Sequence, residues 1–234
     1  MQLPKHFIST FHHVFMSAQA MFEGITTIVF DLGGVLYNVE YSMVEQEFSA
    51  LSKNGASNGS TTKNGAKKAV TYTRQTQPKI FTEYEIGAIS TEQFYDGLRR
   101  DLSLEADDAT LASAWNAMLL GVYPGRNALV WRLKQKYRLA MLSNTNDVHI
   151  QHVKPECQEL FSLFDKLFFS YELGMRKPEA AIFQKVLQEM DCKPHEVLFV
   201  DDSHQHIEAA RALGIQTLWL QHPNSLELAV EMLA

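Results

Sequence analysis

The chain has 234 residues, 46% of them hydrophobic and 21% charged, and a formal charge of -6 at pH 7. That balance argues against a general binder of nucleic acid or anionic membrane, which is normally basic, but leaves room for a phosphorylated ligand held by one local positive cluster. No stretch reaches the roughly 18–20 uninterrupted apolar residues that span a bilayer, and two distant cysteines, Cys157 and Cys192, argue against a disulfide framework and for reduced, packed thiols.

Residues 1–23 read as a leader. The apolar runs of MQLPKHFISTFHHVFMSAQAMF are too broken for a signal-peptide core. His12 and His13 lack partners at metal-ligand spacing. Met16 or Met21 would serve as an alternative start, and the expectation is a soluble cytoplasmic protein.

Short apolar runs then alternate with amphipathic ones, the pattern of an α/β fold with a Rossmann-like parallel sheet. The strand candidates are Ile25–Phe30, Leu139–Leu142, Lys166–Phe169, Val197–Val200 and Thr217–Leu220. Each is short and little interrupted by polar residues, as strands buried on both faces should be.

Between the first two strands the rhythm breaks. Residues 38–124 show helices and almost no strand. Ser90 and Gln93 form a capping-box pattern ahead of Phe94, Leu98 and Leu102, and Leu111, Trp115, Met118 and Leu119 make a second stripe. An all-helical insertion after the first strand reads as a cap domain at 38–124, with the α/β core at 24–37 and 125–234. Inside it, residues 52–78 are rich in Gly, Ser, Asn and Thr, with Lys53, Lys63, Lys67, Lys68 and Arg74 and no acid among Ser52–Gln77. Such composition predicts a mobile loop; a basic arm for an acidic partner is the weaker alternative.

Two helices follow later strands. One covers Pro178–Met190, with Pro178 in its first turn, and one covers Ser203–Leu213, stopped by Gly214.

Four features fall at the carboxyl ends of successive strands, where open α/β sheets bind ligands. Asp31, followed by Leu32-Gly33-Gly34, offers a nucleophile toward phosphorus and a hard oxygen ligand for Mg²⁺; a strand-capping turn is equally open. Ser143-Asn144 offers a hydroxyl and backbone amides for phosphate oxygens, although alone it suits an ordinary turn better. Lys177 opens the Pro178 helix at an end the macrodipole makes unfavourable for a cation, so it is either solvated or neutralising an anion. Asp201-Asp202 are costly after an apolar strand unless they bind a cation or cap the next helix.

In this order the four features resemble the haloacid dehalogenase superfamily, particularly its members with a helical cap after the first motif. The resemblance spans roughly residues 24–222 and is closest in YELGMRKPEAAIFQKVL and VLFVDDSHQHIEAARALGI. It implies that Asp31 attacks phosphorus and binds Mg²⁺, and that Ser143 and the Asn144 amide hold the phosphoryl group. It further implies that Lys177 neutralises charge, that Asp202 binds the metal directly and Asp201 less directly, and that the Gly33 carbonyl completes the shell. Where phosphatases of this family carry a second Asp as acid and base, this chain has Gly33. General acid–base help is worth about 10²–10⁴-fold, so its loss should matter unless something replaces it.

The favoured expectation is therefore a Mg²⁺-dependent phosphatase of small phosphorylated metabolites. A weakly active or non-catalytic phospho-ligand binder comes second, and a metal-free haloacid dehalogenase third, disfavoured by the Asp pair. A phosphomutase is disfavoured by Gly33. His204 and His206 read as surface or helix-end histidines, and Tyr37, Tyr41 and Trp115 are the candidates to face Asp31.

Overall fold

The computed structural model describes residues 22–52 and 78–233. The expected leader except Phe22 and Glu23, and the 52–78 segment except its two ends, lie outside the described residues, as do His12, His13, Met16 and Met21.

The chain opens with β1 (Thr27–Phe30) and β2 (Tyr37–Val39), followed by α1 (Tyr41–Leu51), α2 (Lys79–Glu85), α3 (Thr91–Leu102) and α4 (Asp108–Asn116). Then come β3 (Leu119–Val122), α5 (Arg126–Lys134), β4 (Arg138–Ser143), α6 (Asp147–Val153), α7 (Gln158–Ser162), β5 (Lys166–Phe169) and α8 (Ser170–Leu173). The last elements are α9 (Ala180–Glu189), β6 (Val197–Asp201), α10 (His204–Ala212), β7 (Gln216–Trp219) and α11 (Ser225–Leu233).

Five strands pair in parallel in the order β5-β4-β1-β6-β7. Their apolar runs are continuous because both faces are covered. Alternate residues go to opposite layers: Ile28, Phe30, Leu139, Met141, Leu198 and Val200 join one apolar cluster, Val29, Ala140, Leu142, Val197 and Phe199 the other. The first layer is closed by Val130 of α5, Val153 of α6 and Val230 of α11, the second by Phe183 of α9 and Ile207 of α10. The two cysteines are free, as expected, with Cys157 buried.

Helices α1–α4 build a third cluster of their own. Phe48, Phe81 and Phe94 surround Trp115, whose ring centroid lies 5.2 Å from that of Phe81 and 5.5 Å from that of Phe94. The expected capping box starts α3: Ser90 Oγ accepts from Gln93 N at 3.2 Å and Gln93 Oε1 accepts from Ser90 N at 2.9 Å.

Four expectations are corrected. The 38–124 interval does contain strand, because β2 and β3 pair antiparallel at the root of the insertion. They are too short and half-buried to show a period. Leu119 opens β3 instead of extending the α4 stripe, since that helix ends at Asn116. Pro178 precedes the N-cap Glu179, so Lys177 sits in the approach loop and not on the helix. Trp115 is wholly buried in the insertion's core and does not face Asp31.

The insertion touches the core closely at Gly87, just after α2. Its φ is +65°, and a Cβ there would lie 2.3 Å from the carbonyl oxygen of Tyr171. Gly87→Ala should therefore cost about 1–3 kcal/mol in urea unfolding, from strain plus loss of this contact. Gly24→Ala, also at positive φ (+81°) but with open space around the new Cβ, should cost only about 1 kcal/mol. Equal costs would show that the Gly87 contact does not matter.

Candidate active site

Asp31 follows β1, the central strand, and its amide still bonds to Val200 O at 2.9 Å, so the residue leaves the sheet in a fixed direction. The next turn closes tightly: Leu36 N and Tyr37 N both donate to Leu32 O, at 2.9 and 2.8 Å. Gly34 carries φ +77° within it, a conformation glycine adopts without penalty. Gly33 is different. Its φ is not positive, and a Cβ would meet only Val39 Cγ2, at 3.3 Å. Here the chain has a valine methyl against the space where a side chain at position 33 would begin.

Lys177 is the electrostatic centre. Its ammonium is wholly buried, 2.9 Å from Asp31 Oδ1 and 2.7 Å from Asp201 Oδ2. Burial alone would pull the ammonium pKa down, but Asp201 and Asp31 together raise it. Burial would push Asp201 up, yet Lys177 and then His206 outweigh it and hold the carboxyl below its usual range. For Asp31 burial wins and raises the pKa, against the opposing pull of Lys177.

Both Asp201 oxygens are engaged: Oδ1 accepts from Ser203 N at 2.7 Å, Oδ2 accepts from Lys177, and His206 Nδ1 lies 3.0 and 3.1 Å from the two. Asp202, the next residue, lines the cavity, and its main-chain oxygen accepts from Trp219 Nε1 at 3.1 Å.

Ser143 ends β4 and is buried beside the cavity. The Asn144 side chain does something the sequence reading missed: it clamps the Lys177 backbone, accepting from Lys177 N and donating to Lys177 O, both at 2.9 Å. Of the expected residues, Asp31, Gly33, Ser143, Asn144 and Asp202 line one cavity, whereas Lys177 and Asp201 stand behind Asp31. Tyr37 and Tyr41 line it as expected.

His206 sits in the first turn of α10, a helix-end histidine as expected but not a surface one. Its side chain is only 13% exposed, it lines the cavity, and Asp31, Asp201 and His206 offer ligand atoms within 4.8 Å of one another. A helix puts position 206 over the strand end it follows, and that fold-back carries no signature in sequence. Glu85, Arg176 and His149 also line the cavity and were not anticipated.

The residues 25–214 match the haloacid dehalogenase-like hydrolases. The chain belongs to that family. It is 29% identical over 198 residues to the D-ribitol-5-phosphate phosphatase of Bacteroides thetaiotaomicron, covering 82% of this chain and 90% of that protein. It is also 29% identical over 145 residues to the glyceraldehyde 3-phosphate phosphatase of Pyrococcus furiosus, covering 58% of this chain and 60% of that one. A haloacid dehalogenase-family enzyme of Bacteroides thetaiotaomicron, crystallised with magnesium and inorganic phosphate, superposes with a TM-score of 0.69 at 28% identity, over 83% of this chain and 93% of that one.

His149 joins this site to the insertion. Its ring stacks on Trp115 with centroids 4.4 Å apart, and its Nε2 lies 3.2 Å from Trp115 O. A carbonyl only accepts, so Nε2 carries the proton of a neutral ring, and burial pulls the pKa down to about 3. Unfolded, a histidine titrates near 6.5. Between those values the unfolded chain holds the extra proton, so stability present above pH 6.5 is lost as pH falls toward 3, by up to about 1.4 kcal/mol per unit. His149→Gln keeps an N–H donor without the titration. Urea unfolding between pH 7 and 4.5 should give a shallower slope for that variant; parallel slopes would refute the assignment.

Proposed function

We propose that the protein is a magnesium-dependent phosphatase of small phosphorylated metabolites, acting through an aspartyl-phosphate on Asp31. The observation that carries this reading is the wholly buried Lys177 ammonium, held between Asp31 and Asp201 directly behind a carboxylate that opens on a cavity. The phosphatase relatives support the reaction class.

In the reading, an Asp31 carboxylate oxygen bonds to phosphorus, the ester P–O bond breaks, and the departing alcohol takes up a proton. Water then attacks phosphorus, freeing Asp31 and inorganic phosphate. Asp31 Oδ1 is already held by Leu32 N at 2.7 Å and by Lys177, which fixes the carboxylate for in-line attack. The Ser143 hydroxyl and the Asn144 amide take phosphoryl oxygens, and the Asn144 side chain keeps Lys177 in place.

The donor set fits a magnesium ion. Asp31, Asp202 and the Gly33 carbonyl are hard oxygen donors, whereas Asp201 is engaged at both oxygens and would reach an ion only through water. When bound, the ion would neutralise charge on the phosphoryl oxygens. The helical insertion serves as the cap over the cavity, spanning 38–124 between core segments 24–37 and 125–234, and restricts entry to small substrates. Among the described residues no helix is long and apolar enough to cross a membrane.

Gly33 supplies no acid, so the proton comes from water or another group on the cavity wall, and hydrolysis of the aspartyl-phosphate should lag behind its formation. Rapid mixing with p-nitrophenyl phosphate and Mg²⁺ should give a burst of nitrophenol near one equivalent per chain, then a slower steady state. Asp31→Asn should abolish both phases. Turnover by Asp31→Asn equal to wild type would overturn the reading.

A further inference from the structure

Glu85, the last residue of α2, meets Arg176 in the core with Oε2 3.0 Å from Nη2, and the two side chains are only 5% and 18% exposed. Both line the cavity on which Asp31 opens. Phosphoryl transfer does not call on either, since neutralisation behind Asp31 falls to Lys177.

Arg176 is the one arginine or lysine lining this cavity among the described residues. A planar guanidinium binds carboxylate strongly, so an unopposed Arg176 would draw a carboxylate on the substrate. Glu85 already sets a carboxylate beside that guanidinium as an ion pair, although its Oε2 makes no hydrogen bond among the described residues. A second carboxylate brought beside it would meet a like charge at a site shielded from water, where repulsion is little screened. Arg176 Nε, buried and without a hydrogen-bond acceptor among the described residues, remains a donor for an uncharged oxygen.

We infer that the Glu85–Arg176 pair is a charge filter on the alcohol half of the substrate: it admits phosphomonoesters with uncharged, hydroxyl-bearing chains, such as sugar-alcohol phosphates, and excludes phosphorylated carboxylic acids. This rests on the phosphatase reading above. Glu85 and Arg176 are specificity residues here, and the rest of the insertion's contribution to the wall includes the phenol-bearing Tyr41 and apolar Met118.

The test compares kcat/KM for ribitol 5-phosphate and 5-phosphoribonate, which differ only in a terminal CH₂OH or carboxylate. If both are poor substrates, the ratio is read on glycerol 3-phosphate and 3-phosphoglycerate. Wild type should prefer the alcohol. Glu85→Gln should shift the ratio toward the carboxylate by about tenfold or more, as loss of one buried charge does for substrate discrimination. Arg176→Gln should shift it the other way, and the Glu85→Gln/Arg176→Gln double variant should return it toward wild type even if one single variant folds poorly. A wild type that prefers the carboxylate, or single variants that lose both substrates equally with the ratio unchanged, would overturn the filter and leave the pair as a simple clasp between insertion and core. Turnover of p-nitrophenyl phosphate no faster than the Asp31→Asn blank would instead overturn the phosphatase reading, and the filter with it.

Discussion

Everything at the carboxyl edge of the sheet depends on one buried ammonium. An isolated cation inside a protein is prohibitively costly, so Lys177 can be wholly buried only because Asp31 and Asp201 face it at 2.9 and 2.7 Å. Those carboxylates come from the ends of β1 and β6, which are neighbours in the sheet, and the lysine reaches them from the loop before α9. Its backbone is in turn clamped by Asn144, at the end of β4 on the other side of β1. Three adjacent strands thus converge on one side chain. Two carboxylates, Asp31 and Asp201, face a single ammonium. The hard oxygen donors around Asp31 are the basis of the proposed magnesium site.

The parts of this arrangement legible in the sequence are the local ones. An acid directly after ITTIVF, a serine directly after LAML and an acid pair directly after VLFV each declare themselves by adjacency to a buried strand. Strand pairing then brings them together without further instruction, because the register aligns Phe30 with Met141 and with Val200. What was not legible joins residues far apart in the chain. Asn144 and Lys177 are separated by 33 positions, Trp115 and Asn146 by 31, Tyr37 and Glu156 by 119. The contact of His206 with Asp201 was hidden for a related reason: only its return across the end of β6 distinguishes it from any histidine in the first turn of a helix. Trp115 misled in the opposite direction, since an aromatic in an inserted helix reads equally well as substrate wall and as core, and only packing against Phe81 and Phe94 decides.

Gly33 gains a physical context from β2. The strand that begins the insertion carries Val39, whose Cγ2 lies 3.3 Å from where a Cβ at position 33 would be. A carboxylate there would need the valine to give way by a few tenths of an ångström, while the backbone itself would accept one. The side-chain space at position 33 is therefore coupled to how the insertion is rooted, through a contact between two residues only six positions apart.

The same root carries polar ties between the insertion and the core. Glu156 accepts from Tyr37 Oη at 2.9 Å and from Val122 N at 3.0 Å, tying β2 and β3 to the core beneath them. Farther out, Ser170 Oγ lies 2.6 Å from Glu85 O and accepts from Thr145 N at 2.9 Å, and Asn146 Oδ1 accepts from both His149 N and Trp115 Nε1. The Ser170 and Asn146 ties meet on the segment 143–149, whereas Glu156 lies in the turn between α6 and α7. The Ser170 and Asn146 bonds are buried, and breaking such a bond strands a donor or acceptor away from water at about 1–3 kcal/mol each. Glu85 of the insertion meets Arg176, immediately before Lys177, so the ion pair between insertion and core and the ammonium beside Asp31 are set by adjacent residues of one loop.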